Sequence, residues 1–187
     1  MMTQRTKFTV LQRLLHWTMA VCILAMLFIG VGMVSTIMPK YIPLLATHKT
    51  LGIVILVLAL IRLGVRLYYG APPLPEDLPE PMKLAAHLSH YAFYLLMIGM
   101  PLLGWAMLSA GAYPIVLYGG LRLPAILPQS DALHTLLWDA HFYLAFGFFA
   151  LILMHVGAAL FHLLVLRDGV FASMAPLPAN ADPAAGE

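Results

Sequence analysis

Three stretches of this chain contain no Lys, Arg, Asp or Glu at all: Leu14–Pro39, Leu84–Leu121 and Ala140–Leu166. Each is longer than the roughly 20 apolar residues that carry a helix across the hydrocarbon of a bilayer. Lipid offers the backbone no hydrogen bonds, so such segments must satisfy their own N–H and C=O groups as helices. A fourth span is less obvious. Thr50–Ile61 is apolar but short, closed by Lys49 and Arg62. Extended to about Leu44–Tyr69 it is long enough, with His48 and Lys49 at one end and Arg62 and Arg66 at the other. The fold class read from this pattern is an all-α integral membrane protein, a four-helix transmembrane bundle.

Composition agrees. Of 187 residues, 62% are hydrophobic and 10% charged, against about 25% charged in soluble domains. The net charge of +2 gives no case for nucleic-acid binding. A single cysteine, Cys22, excludes an internal disulfide, a cysteine-based zinc site and an iron–sulfur cluster held by this chain alone. The first apolar stretch has no A-x-A-like end and is long enough to span, so it reads as a helix and not as a signal peptide.

The predicted helices run about 10–34, 44–69, 84–108 and 134–166, within one membrane domain spanning 1–175. In the third run, Gly111, Pro114, Gly119 and Gly120 point to a helix ending near Ser109 and a loop of about Ala110–Leu133. A short connection lies around Thr36–Thr47, and a proline-rich acidic linker runs Ala71–Met82. The Ala- and Pro-rich chain after Asp168 reads as disordered, with 176–187 a cytoplasmic tail. With the N-terminus inside, Arg5, Lys7, Arg13, Arg62, Arg66, Lys83 and Arg167 are cytoplasmic and only Lys40, Lys49 and Arg122 lie opposite. The positive-inside rule therefore favours N-in and C-in.

The chemistry lies in eight histidines: His16, His48, His87, His90, His134, His141, His155 and His162. Ionisable groups within spans are costly and usually functional. A lone histidine at a boundary needs no more than water or a backbone partner. Several in one small bundle, with almost no carboxylates, suit haem iron better than zinc or a di-iron site. His155 follows His141 by fourteen residues, about 21 Å along the helix and about 40° around it. One helix can thus present two stacked ligands, His141 to His48 on the outer side and His155 to His16 towards the cytoplasm. His162 shares that face and competes with His155. Its separation from His141, about 31 Å, would set two irons at opposite surfaces.

A porphyrin on a helical histidine lies along the helix, so the residue one turn on should be small. Four residues after His16, His48, His141 and His155 come Ala20, Gly52, Ala145 and Ala159. After His87, His90, His134 and His162 come Tyr91, Tyr94, Trp138 and Leu166.

Several segments resemble the prokaryotic cytochrome b561 family (bacterial cytochrome b561 and hydrogenase cytochrome b superfamily): QRLLHW at Gln12–Trp17, HKTLG at His48–Gly52, RLGVRLYYGAPP at Arg62–Pro73, AHLSHYAFYLLMIGMPLLGW at Ala86–Trp105 and H-x13-H at His141–His155. The resemblance covers about Phe8 to Ala175. It implies a four-helix protein of the bacterial inner (cytoplasmic) membrane with two haem b groups, exchanging electrons with quinone. Carried over by motif, it implies axial ligation by His16, His48, His141 and His155, the set that spacing also gives. The loop YPIVLYGGLRLP at Tyr113–Pro124 is similar to a family element that varies between branches, so it bears on substrate more than on fold.

The remaining polar residues admit two readings each. Arg62 and Arg66 share a face, and His87 and His90 open the third helix at the same depth. They contact propionates of the inner haem or a quinone head group, or they are snorkelling and interfacial side chains. Lys49, His134, Arg122 and Lys40 form a cationic rim that steers a small anion such as superoxide, or are scattered loop charges. Trp17, Trp105 and Trp138 fit an interfacial aromatic belt.

The function that the histidines and the resemblance together imply is a di-haem electron carrier, linked by the resemblance to ubiquinone, with the superoxide:ubiquinone oxidoreductase activity of one branch of the family as its enzymatic form. Bis-histidine ligation leaves no open iron position for oxygen. The first alternative is a membrane-anchor cytochrome b subunit relaying electrons for a dehydrogenase or hydrogenase. The second, a haem-free transporter or proton channel, is disfavoured by the scarcity of intramembrane Asp and Glu.

Overall fold

In a computed structural model, which describes residues 7–36, 39–76 and 78–176, the chain forms four long helices: α1 (Val10–Val34), α2 (Tyr41–Tyr69), α3 (Glu80–Ala110) and α4 (Asp131–Phe161). A π-helical turn, His162–Leu166, prolongs α4, and a short helix α5 (Val170–Met174) follows. All four long elements have the length and apolarity to cross a membrane.

Local chemistry sets their ends. At α1, the Thr9 hydroxyl accepts from the Gln12 N–H while the Gln12 side chain takes the Thr9 N–H, a reciprocal cap. Helix α2 starts at Tyr41, earlier than the position near 44 read from the sequence, because Pro43 falls in a first turn where its missing N–H is no loss. Helix α3 likewise begins at Glu80 with Pro81 in its first turn and runs on through Pro101 to Ala110. Ser130 caps α4, its hydroxyl accepting from the Leu133 N–H.

The long loop is more ordered than its composition implied. Strands β1 (Ile115–Val116) and β2 (Arg122–Leu123) pair antiparallel. Gly119 and Gly120, at φ of 82° and 80°, make the turn between them in a conformation other residues resist. The disorder expected after Asp168 does not begin there. Helix α5 folds back onto α1: Phe8 N donates to Ser173 O at 3.2 Å, Arg13 Nη1 to Ala175 O at 3.1 Å and Trp17 Nε1 to Met174 O at 2.9 Å. Apart from Pro176, the tail assigned to 176–187 lies outside the described residues.

The bundle is apolar on both sides of its wall. Its buried core is a mid-depth layer of Met19, Ile23, Ile55, Ala59, Met97, Phe148 and Ile152. Phe28, Val31, Leu67, Leu95, Phe146 and Leu153 point outward and exposed, as suits a lipid solvent. Helix α1 packs along α2, α3 along α4, and α2 closes on α3. Helix α4 makes no comparably close backbone approach to α1 or α2, the two helices towards which its histidines face.

Candidate functional site

One stripe of α4 faces inward: His141, Ala145, Phe148, Ile152, His155 and Ala159, at alternating steps of four and three residues. Phe148 and Ile152 are buried and the other four half-buried, while nearly everything else from Phe142 to Leu160 is exposed. Helix α2 has the same register. His48, Gly52, Ile55, Ala59, Arg62 and Arg66 follow the same steps, again with the central two buried. The two stripes share their mid-depth apolar layer and leave polar residues above and below it.

The levels close into two histidine pairs. At the level where α2 and α4 start, which the expected N-in orientation makes the outer one, the rings of His48 and His141 stand 6.1 Å apart between centroids, inclined at 64°. At the other level, the inner one in that orientation, His16 and His155 stand 6.2 Å apart, inclined at 62°. Two imidazoles on opposite sides of one metal, with bonds of about 2.0 Å, would have centroids about 6.3 Å apart. The observed separations fit that requirement, as does the 6.4 Å between His90 and His155, so the motif match, which carries His16, is what favours His16 over His90 as the partner of His155.

Each pair is shaped by its neighbours. On α3, Gly104 faces His141; a Cβ there would stand 3.3 Å from Cε1 and 3.6 Å from Nδ1 of that ring. The glycine gives the imidazole its room. At the inner level Phe93 packs edge-on against His155 with centroids 5.0 Å apart, and His90 lies 6.4 Å from the same ring. Nδ1 of both His48 and His141 is buried without a protein hydrogen-bond partner.

The other histidines are differently employed. His162, the rival to His155, meets no second imidazole at ligating range among the described residues. Its Nδ1 lies 2.6 Å from Asp168 Oδ2, with both side chains 13% exposed, and Asp168 Oδ1 accepts from Val170 N. This pair fastens the end of α4 to the start of α5. His134 directs Nδ1 to Met107 O at 2.9 Å and packs on Tyr113, which ties α4 to the end of α3. His87 is exposed and His90 half-buried.

Among the predicted cations, Arg62 is half-buried, with Nη1 enclosed and unpartnered. Arg66 is half-buried one turn nearer the helix end. Lys49 is half-buried beside His48, whereas Lys40 and Arg122 are exposed. The sequence reading missed Gly104, Phe93, Asp168 and Tyr118. Tyr118, in the turn of the β1–β2 ribbon, shares a hydrogen bond of 2.8 Å with Thr47 Oγ1 and donates its N–H to Thr50 Oγ1. The ribbon is thereby latched to the turn of α2 that carries His48. The Tyr-Gly-Gly sequence marked the turn, but nothing local marked its docking point. Trp105, read as an interfacial aromatic, donates Nε1 to Pro124 O at 2.8 Å and anchors the far side of the same loop.

Among the described residues, no three His, Cys, Asp or Glu side chains converge as a cage for a metal ion. The donors come as facing pairs of imidazoles with small residues one turn away. That set suits a planar metal group that supplies its own equatorial ligands, as haem does.

Residues 7–176 match the family model described as prokaryotic cytochrome b561. Cytochrome b561 homolog 2 of Escherichia coli (strain K12) is 29% identical over 171 residues, covering 90% of each chain. The probable superoxide oxidase CybB of Yersinia pestis is 34% identical over 134 residues, 69% of this chain and 73% of the relative. Cytochrome b561 homolog 1 of Escherichia coli (strain K12) is 29% identical over 179 residues, 91% of this chain and 97% of the relative.

Proposed function

The chain belongs to the prokaryotic cytochrome b561 family of membrane electron-transfer proteins, and from that premise we propose that it is a di-haem quinone oxidoreductase of the inner membrane. The observation that carries this reading is the pair of facing imidazoles at each of two levels, 6.1 and 6.2 Å between centroids. His48 and His141 would hold the outer haem b, His16 and His155 the inner one. Bound haem would supply a one-electron Fe(III)/Fe(II) couple. The protein's share is to fix the rings, to exclude water with the layer of Ile23, Ile55, Phe148 and Ile152, and to set the electrostatics at each level.

The orientation proposed is N-in and C-in. The end where α1 and α3 start carries Lys7, Arg13, Arg62, Arg66, Lys83 and Arg167, against Lys40, Lys49 and Arg122 at the other; Arg5 lies outside the described residues. Ubiquinone is the proposed acceptor, with Arg66, His87 and His90 near the inner boundary as candidates for its head group or for propionates. Superoxide is the proposed donor, supported by the likeness to a probable superoxide oxidase and by Lys40, Lys49 and Arg122 at the outer rim. His134 is less suited to that rim, because one ring nitrogen is engaged by Met107. In the balanced reaction two superoxide ions give up one electron each and leave as dioxygen. Ubiquinone takes both electrons and two protons to become ubiquinol.

The test is spectral and stoichiometric. The purified protein is expected to show sharp α and Soret bands on reduction and to contain two haems per chain. His16, His48, His141 and His155 changed singly to Ala should each lose one haem, while His162→Ala keeps both. Absence of low-spin haem bands overturns the reading, and loss of a haem in His162→Ala but not in His155→Ala overturns the ligand set. Superoxide-driven ubiquinone reduction by the isolated chain supports the free-standing enzyme. Its absence, with a dehydrogenase co-purifying, would identify an anchor subunit instead.

A further inference from the structure

Each helix carries its two levels fourteen residues apart, and the levels are not alike. Helix α4 has His155 inside and His141 outside, and α2 has Arg62 inside and His48 outside. Helix α1 pairs His16 with Gly30, and α3 pairs His90 with Gly104. The outer level is thus two histidines and two glycines. The inner level is three histidines and an arginine.

Arg62 is not placed as a snorkelling side chain. It lies seven residues, about 10 Å, inside the end of α2, in the stripe that faces the bundle. Its Nη1 is enclosed without a partner. Arg66, a turn nearer the boundary, is the residue positioned to reach the interface. The fourteen-residue register sets Arg62 at the level of His16, His90 and His155, and the four equivalent positions of the other level, His48, His141, Gly30 and Gly104, include no Arg or Lys.

A guanidinium keeps its charge at any working pH, and a charge in a weakly polarisable interior is poorly screened. A haem held between two neutral imidazoles would carry one more positive charge when oxidised than when reduced, so a fixed cation beside it would disfavour the oxidised form. We propose that Arg62 is a potential-setting residue that raises the reduction potential at the inner histidine pair above that at the outer pair. Outer to inner would then be the downhill direction for an electron passed between haems held there, one centre losing the electron that the other gains. The inference rests on the two-haem reading and adds to it a direction.

The experiment is a spectroelectrochemical titration of the purified holoprotein, resolved into two one-electron transitions. The transition missing from His16→Ala is the inner one. Arg62→Gln is expected to lower it by at least tenfold in equilibrium constant, about 59 mV, and to leave the outer transition in place. Arg62→Lys should keep most of the original value. If Arg62→Gln does not accumulate, Arg62→Met supplies the same comparison. An inner transition that stays put in Arg62→Gln, or two transitions that fall together, overturns the role of Arg62. Fewer than two haems in the unsubstituted protein would instead overturn the reading beneath it.

Discussion

Replacing Gly104 with alanine tests the outer pair at one atom. The added Cβ would stand 3.3 Å from Cε1 and 3.6 Å from Nδ1 of His141. At that spacing the ring must give by a few tenths of an ångström. A ring in a loose site could do so at no cost. A ring that held a metal jointly with His48 could not. Overpacking of this kind costs about 1–3 kcal/mol. Removing a glycine from a helix returns about 0.5–1 kcal/mol. The net penalty, about 0–2.5 kcal/mol, should fall on haem retention and not on the fold. About 1.4 kcal/mol is tenfold in affinity, so Gly104→Ala should lose its outer haem to a haem scavenger about tenfold more readily, with thermal unfolding of the bundle little changed. Gly104→Leu should fail to hold that haem at all. Gly99→Ala is the control, since nothing lies within 4 Å of a Cβ there, and it should be neutral or slightly stabilising. The assay is haem-to-protein ratio with the reduced spectrum. Two full haems and an unchanged outer band in Gly104→Leu would refute the reasoning, as would selective loss of the inner haem.

Two further outcomes follow from the contacts at either end. Asp168→Ala removes the partner of His162 and the acceptor for Val170 N, a local loss of about 1–3 kcal/mol. Limited proteolysis should then cut near Ser173 faster while both haems remain, and loss of the inner haem would show that the α5 clamp serves the site directly. Tyr118→Phe removes the hydroxyl bonded to Thr47, worth about 1 kcal/mol. Stopped-flow reduction of the outer centre by a small anionic reductant should change several-fold in rate while equilibrium potentials stay fixed.

The sequence disclosed what depends on counting. Charge-free runs located the helices, and a fourteen-residue step put His141 and His155 on one face because helix rotation is a property of the backbone. The same arithmetic applied to His48 and Arg62 was equally available and went unread, since an arginine in a span first suggests its boundary. Partners set by tertiary approach were hidden. Nothing in the periodicity of α4 tells that Asp168 turns back onto His162, because the chain reverses through a left-handed Arg167 between them. Nor could Gly104 be matched to His141, since that needs the axial stagger of α3 against α4. The β1–β2 ribbon escaped notice because its strands are two residues long and take their stability from docking on Thr47 and Thr50.

The repeated fourteen-residue interval makes the bundle a ruler. The spacing between its two histidine levels is counted in residues, fourteen on every helix, and no contact between the levels can adjust it. One residue inserted or deleted between His141 and His155 would swing one of them about 100° towards the lipid, and the same holds between His48 and Arg62. The middle of each helix is therefore closed to changes of length, and lineages of such proteins can grow or shrink only at the loops, where Tyr118 and its ribbon meet whatever arrives from outside.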